Sequence, residues 1–423
     1  IKGVFLCHIF NRNRRQQLLL CVMKLFYRIL FVCAFSIHFG NVFSQDTSSF
    51  VFYNLLQFPN EKPNRITHLK TIVKELNPDV FMVCELSNNA GSVTILNQAL
   101  NTDGVNYYQR ATFWNDGSLN NMLYYNTRKY KLLDQDVIDC QPRFATVYKL
   151  VDKDALNAGD SIISTFVVVH LKAGNGSSDN RSKESAAKMI REYIDEETNG
   201  ENIFLSGDFN IYSPSEGAFK EFTERGVNTF NDPVNEIGEW SNTEYYAPLH
   251  TQSTRTTSFG SGSAGGLDDR FDWILVSDDV VNGTNKMEYV LGSYKAFGND
   301  GKHFNNAINF KENTAVRDEV ADALHEMSDH LPVVMKVANT FTNSVVKQKL
   351  VQPYSVVYNG SLIMREVKQF DYFEVIDING RIVESSRIAK GNETVEISTL
   401  NINSLYLVRL LNSQEVVTLK ARL

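Results

Sequence analysis

The run IISTFVVVHLKAG at Ile162–Gly174, followed by SKESAAKMIREYIDEE at Ser182–Glu197 and NIFLSGDFN at Asn202–Asn210, decides the fold class. Ile162–Leu171 and Asn202–Ser206 are apolar on both faces, as strands are when a sheet is covered on each side. Between them, Ala187, Ile190, Tyr193 and Ile194 fall on one stripe at helical spacing. Working outward, extended runs at Phe50–Leu56, Val80–Glu85, Asn121–Tyr125, Phe271–Val276 and Pro332–Val337 accompany a helical run at Asn64–Leu76. The layout predicts a mixed α/β domain of two packed sheets flanked by helices over residues 45–340. A polar linker at 341–349 follows. Residues 350–423 change character, with short alternating segments at Phe373–Ile376, Val395–Ile397 and Leu405–Leu410 and turn signals at Asn359-Gly360 and Asn379-Gly380, which predicts a small all-β sandwich.

The chain is 43% hydrophobic and 22% charged, with 27 Phe and 18 Tyr but only 9 Pro, which excludes disorder, collagen and coiled coil. Charge is unevenly spread. Residues 1–44 hold six basic side chains and no acidic one, leaving 36 basic against 49 acidic residues beyond, a net of −13. A polyanionic substrate would have to be met by bound cations or a local basic patch. Met23, Lys24 and Arg28, the apolar run Ile29–Ile37, and Val42-Phe43-Ser44 read as a cleaved secretory signal at 23–44, with 1–22 an upstream extension. A membrane anchor over Leu18–Phe39 would bury Lys24 and Arg28 at about 2.5 to 3.5 kcal/mol each near the bilayer centre, so no stable span is expected after cleavage. Beyond the signal only Cys84 and Cys140 remain. One bridge between them is open, but Cys84 lies in an apolar strand and reads as a buried thiol.

Polar residues recur at the carboxyl ends of the apolar strands. Asn54 follows Phe50–Tyr53, Glu85 follows Val80–Cys84, His170 follows Phe166–Val169, and Asp208 and Asn210 follow Ile203–Ser206. Asp272 lies within Arg270–Val276, and Asp329-His330 precede the last strand. One strand-end acid is usually a turn residue. Six such positions in one domain point to an assembled site, because a strand end is rigid yet opens on a crevice.

The blocks NLLQF (54–58), DVFMVCEL (79–86), VVVHLKAG (167–174), SGDFNIYSPSE (206–216), RFDWILVS (270–277) and SDHLPVV (328–334) together resemble the endonuclease/exonuclease/phosphatase superfamily, with its deoxyribonuclease I-like fold. The resemblance spans roughly residues 48–338. It implies a four-layer α/β sandwich that cleaves phosphoester bonds with Mg2+ or Mn2+. Nucleases, sphingomyelinases and phosphatases share the fold, so the substrate is left open.

Phosphodiester hydrolysis needs an activated water, neutralised phosphoryl oxygens and a stabilised leaving group. Asn54, Glu85 and Asp329 suit a hard, oxygen-liking cation. Asp208 can hold the attacking water and Asn210 a phosphoryl oxygen. Asp272 can orient His330 and favour its imidazolium, and His170 can donate to the phosphate or the leaving oxygen. Asp208 and His330 are both open as the general base. Lys172 and Arg255 are candidate substrate contacts. The loop with Asn299, Asp300 and His303 could hold a structural Ca2+. His325-Glu326 and His330 do not have zinc-helix spacing.

A nucleic acid is the leading substrate and a lipid headgroup the alternative, with Trp240, Tyr245 and Tyr246 able to serve either by stacking on bases or by touching a membrane. A non-catalytic surface binding protein is the reading from another class. The tail segments YFEVIDINGRIVESS (372–386), ETVEISTLNINSLYLVRL (393–410) and VVTLKARL (416–423) resemble the type A sorting domain of Bacteroidetes type IX secretion. That resemblance implies a partner in the secretion machinery and release or anchoring at the cell surface; a monomer is expected. An adhesive module is the alternative.

Overall fold

The computed structural model describes residues 47–339, apart from 63, 118, 158 and 199–201, and residues 353–422, apart from 359–360, 366, 369, 390–391, 393, 402–403 and 413–415. The extension at 1–22, the signal at 23–44 and the linker at 341–349 lie outside the described residues. The chain forms two compact units that part between Asn343 and Ser344.

In the first unit, β1 (Thr47–Phe58), β2 (Val80–Leu86), β3 (Tyr108–Arg110) and β4 (Asn120–Asn126) open one sheet. The second sheet is β5 (Tyr130–Asp139), β6 (Phe144–Asp152), β7 (Ile163–His170), β8 (Ile203–Asp208), β9 (Phe230–Asn231) and β10 (Asp272–Ser277). The chain then returns to the first sheet through β11 (Met287–Tyr289), β12 (Lys295–Ala296) and β13 (Val333–Asn339). The strand orders are β11-β13-β1-β2-β4-β3, with β12 beside β13, and β5-β6-β7-β8-β10-β9. Each sheet has a parallel pair at its centre, β1/β2 and β7/β8, so the carboxyl ends of each pair share an edge.

The sheets meet through aromatic packing. Phe50 on β1 sets its ring edge-on to Phe166 and Phe204 at 4.9 and 4.8 Å, favoured aromatic geometry. Leu69, Ile72 and Val73 of the helix Ile66–Leu76, with Val320 and Leu324 of Asp318–Met327, join that core. Ala187, Ile190 and Ile194 of the helix Ser177–Glu197 pack with Val167, Val169 and Leu205. Helix, sheet, sheet and helix make the four-layer α/β sandwich. The helix Ser177–Glu197 begins five residues earlier than its apolar stripe suggested, because Gly176 caps it and Asp179 supplies a first-turn acid. Gly207 is required by close packing, since a Cβ there would lie 2.3 Å from the Val169 carbonyl oxygen.

The second unit holds β14 (Tyr354–Tyr358), β15 (Ser361–Arg365), β16 (Tyr372–Asp377), β17 (Ile382–Arg387), β18 (Thr394–Ile397), β19 (Leu405–Leu411) and β20 (Val416–Arg422). They form two antiparallel sheets, β14-β15-β18 and β17-β16-β19-β20, around Leu362, Met364, Val375, Val408 and Leu410. Among the described residues, no helix is long and apolar enough to cross a membrane.

Candidate active site

His170, Asp208 and Asp272 stand directly opposite one another on the adjacent strands β7, β8 and β10. Directly paired residues share a face of the sheet, so these three side chains form one polar row at its edge. From the other sheet, the Asn54 amide Nδ2 donates to Asp208 Oδ2 and to Glu85 Oε1, each at 3.0 Å. Asp272 Oδ2 holds His330 Nδ1 at 2.7 Å. The Ser328 hydroxyl donates to the Asn54 carbonyl at 2.7 Å and accepts the His330 N–H at 3.2 Å, locking the segment before β13 to the end of β1. Backbone conformation aims two of these groups. Glu85 and Asn210 have φ of 54° and 50°, and the β1/β2 and β2/β4 registers both shift around Glu85. Such left-handed residues cost about 1–3 kcal/mol and gather where a crevice needs a side chain re-aimed.

The site is buried and rich in carboxylates. Asp208, Asp272, Asp329, His170 and His330 are all 5% exposed or less. Burial, with Asp272 and Glu85 nearby, pushes the Asp208 carboxyl up to about 7, and burial also raises Glu85. Burial works against a charge on His330, but Asp272, Asp329 and Asp208 outweigh it and hold the ring well above its usual value. His170 is shifted the other way, by burial and then by Arg143 and His330, and stays neutral. The His170 Nε2 lies 3.6 Å from Asp208 Oδ2 and 3.7 Å from Glu85 Oε1. Glu85, Asp208, Asp272 and Asp329 outnumber the His330 imidazolium and the nearby Arg143 guanidinium, and Asp329 Oδ1 is buried without a hydrogen-bond partner among the described residues. That surplus of hard oxygen donors fits a divalent cation.

Six of the expected site residues converge here with Asn54, whose amide also positions its neighbours. The Leu56 N–H donates to Asn54 Oδ1 at 3.0 Å. A backbone N–H only donates, so the amide oxygen faces Leu56 and the NH2 faces the carboxylates. Asn54 is therefore a positioning donor for Glu85 and Asp208. Asn210 lies in the same turn, its N–H donating to Asp208 Oδ1 at 3.1 Å and its Nδ2 to the Leu171 carbonyl at 3.3 Å.

Arg255 is not a substrate contact. It is 2% exposed, stacks 3.9 Å from the Phe259 ring centre, and gives its guanidinium to the His325 and Ser328 carbonyls. Lys172 stands at the mouth, paired with Asp179 at 3.2 Å. Trp240 is fully buried and donates to the Ile211 carbonyl, so it reaches neither bases nor a membrane. Asp300 already accepts from His303, Lys302 and Thr314, which satisfies the proposed Ca2+ loop internally. Cys84 and Cys140 are both free and buried.

Three residues escaped the sequence reading. The Gln252 amide lies 2.6 Å from His330 Nε2; against a charged ring it must present its oxygen there. Arg143 Nη1 donates to the His170 and Leu171 carbonyls at 3.2 and 2.5 Å. Lys183, fully buried, holds the Asn210 carbonyl at 2.6 Å and Glu216 at 2.5 Å. Only Lys183 left a signal, a lysine four residues before Ala187 on the apolar stripe.

Residues 41–330 match the model of the Endonuclease/Exonuclease/phosphatase family. The chain belongs to that family. Its members are typically hydrolases of phosphoester bonds and generally use divalent metals. Solved structures similar to it include the human Nocturnin catalytic domain with bound sulfate (16% identity, 70% of this chain and 98% of that one, TM-score 0.46). Others are D. rerio TDP2 with a single-strand DNA product (12%, 70% and 100%, 0.47) and a Bacteroides thetaiotaomicron mannosyl-6-phosphatase (14%, 69% and 99%, 0.43). No curated protein matches the chain.

Proposed function

We propose that this chain is a divalent-cation-dependent hydrolase of phosphoester bonds. The observation that carries the reading is the row His170, Asp208 and Asp272, closed by His330 on Asp272 at 2.7 Å and by Glu85 through Asn54. Glu85 and Asp329 would hold the cation, with Asp208 beside it for the attacking water. Bound there, it would neutralise charge growing on the phosphoryl oxygens and stabilise the leaving oxygen. Asp208, its carboxyl raised by burial, takes a proton from the attacking water at a carboxylate oxygen. Asp272 keeps His330 Nδ1 protonated and the ring charged, so that the imidazolium attracts the phosphoryl oxygens. Neutral His170 donates from Nε2 to the phosphate or to the leaving oxygen. Water adds to phosphorus and the bond to the alcohol breaks; the leaving oxygen, hydrogen-bonded by His170, gains through solvent the proton that Asp208 took from the water, and Asp208 returns to its carboxylate. Asp208 rather than His330 is the base on this reading, because a ring already held as imidazolium has no lone pair to offer.

The test is hydrolysis of bis-p-nitrophenyl and p-nitrophenyl phosphate with Mg2+ or Mn2+, before and after chelation, for the wild type and Asp208→Asn. Loss of turnover on chelation, its return with added cation, and an inert Asp208→Asn support the reading. Full turnover after exhaustive chelation sinks it. Export is part of the proposal, supported by the signal-like segment and the sorting-domain resemblance of a tail that forms its own unit. Truncation at Ala338 should abolish secretion from a host with type IX machinery; normal secretion of the truncated form would favour an adhesive module.

A further inference from the structure

We propose that this site takes an isolated phosphoester, one phosphate on an otherwise neutral alcohol, in preference to a nucleic-acid strand or duplex, with Arg143 as the side chain that meets its charge. The inference rests on the phosphoesterase reading and narrows it to a substrate class.

It follows from what the basic residues around the crevice are doing. Arg65 is buried and gives its guanidinium to the Leu55, Leu56 and Met327 carbonyls at 2.8, 2.6 and 2.5 Å, bracing the end of β1 against the segment that carries Asp329. Arg255 braces the same segment from the other side through the His325 and Ser328 carbonyls. Lys183 lies beneath the Asn210 turn, paired with Glu216. Lys62 pairs with Glu326 at 2.6 Å and Lys172 with Asp179 at 3.2 Å. Arg143 differs. It forms no ion pair among the described residues, is half-buried, and uses Nη1 on two carbonyls of the His170 strand end. That tether holds the guanidinium beside the row of catalytic groups. Five of the six local cations are thus committed to structure or paired with an acid.

A nucleic acid is normally held by many Lys and Arg contacts along its backbone, each adding about −0.9 to the slope of log affinity against log salt on a duplex. One unpaired guanidinium beside a bound cation provides for one phosphate. The adjoining loop suits a neutral leaving group. Asp116 accepts the Phe144 N–H next to Arg143, and Trp114, two residues before Asp116, is 40% exposed. An exposed aromatic on the loop that Asp116 ties to Phe144 suits a sugar ring or a lipid glycerol better than a second phosphate. The fully buried Trp240 removes one of the stacking platforms a base would use.

The experiment compares kcat/KM of the full-length protein on four arms at saturating Mg2+ or Mn2+, in 50 and 200 mM salt. The arms are soluble aryl phosphomonoester and diester, phosphatidylcholine and sphingomyelin vesicles, a single-stranded oligonucleotide, and a 20-bp duplex. The inference expects a soluble or vesicle arm to lead both nucleic acids by at least about tenfold, the leading arm identifying a free or a lipid-borne phosphate. On the two nucleic-acid arms it expects a salt slope between about −1 and −2, the value for one or two phosphate contacts. Arg143→Gln should raise KM about tenfold or more with a smaller change in kcat, and Arg143→Lys should recover part of it. A nucleic-acid arm in the lead, or a slope near −8, overturns this inference while leaving the phosphoesterase reading intact. No cleavage of any arm overturns both.

Discussion

The crevice of the first unit and the sandwich of the second place their charges in opposite ways. In the crevice, Asp272 is fully buried and Asp208, Asp329 and His330 are 2 to 3% exposed, with more negative than positive charge. In the tail, the core residues Leu362, Met364, Val375, Val408 and Leu410 are apolar and fully buried. Its described ion pairs, Arg381 with Asp377 and Arg409 with Glu374, lie outside that core. Burying an uncompensated charge costs far more than solvating it, so a fold retains one where the charge has chemistry to do. Changes in the crevice should therefore be read in turnover, and changes in the tail hardly at all.

The largest expected effect would sharpen that contrast. His330→Ala should lower turnover about 10² to 10⁴-fold, the range for a lost proton-handling group, with the fold retained by circular dichroism. Truncation at Ala338 should leave turnover unchanged. Near-wild-type turnover in His330→Ala, or a large loss on truncation, would break the comparison.

Next comes the buried support of the crevice. Lys183→Met leaves Glu216 without its cation in a dry site and should cost about 3 to 5 kcal/mol, the scale for breaking a buried pair. Chemical denaturation measures it. A cost below 1 kcal/mol would mean that Glu216 finds water or another donor.

A smaller effect concerns pH and cation together. The ordinary value of an Asp carboxyl is 3.8, and in the folded protein Asp208 sits at about 7. Between those values the folded form holds a proton that the unfolded chain has lost, so stability falls as pH rises across that window, by about 1.4 kcal/mol per pH unit for a full proton. His330 acts in the same direction, since the stability from its raised value is present below its usual range and lost as pH climbs through the folded value. A cation selects the ionised carboxylates and offsets this loss, adding about 2.7 kcal/mol at a hundredfold excess over its Kd. Mg2+ or Mn2+ should thus raise Tm more at pH 8 than at pH 5. Equal shifts at both pH values would place the cation elsewhere.

The smallest change lies in the tail. Glu374→Ala removes a half-exposed partner of Arg409 and should alter stability by less than about 1 kcal/mol, the usual ceiling for a surface pair. A larger loss in Tm would show that the tail, too, depends on a partly buried charge.

Much of the first unit was legible beforehand. Strands at Phe50–Leu56, Val80–Glu85 and Ile162–Leu171 lie within or close to β1, β2 and β7, because long apolar runs leave the chain few alternatives. The hairpin of β5 and β6 was missed. It is an outer strand and its neighbour, and Tyr130–Asp139 mixes Asp, Gln and Lys with its apolar residues, so no continuous apolar run marks it. Within the site, every acid and imidazole at a strand end was legible, but Gln252 was not. It lies in a connecting segment with no period, and only its bridge pairing with His330 brings it to the ring.

The sequence by itself determined where strands run and where their apolar character ends in an acid, amide or imidazole, since both are properties of neighbouring residues. Tertiary structure alone decided what those groups do. The contact from Asn54 to Asp208 spans 154 positions, and the one from Arg65 to Met327 spans 262. Those contacts make Asn54 a positioning donor, make Arg65 a backbone clamp, turn Arg255 from a candidate phosphate contact into another, and leave Arg143 at the His170 strand end without an ion pair among the described residues. The role of a charged side chain depends on its burial and on which partner neutralises it. Both are supplied by residues remote in sequence, and local propensity carries no record of them.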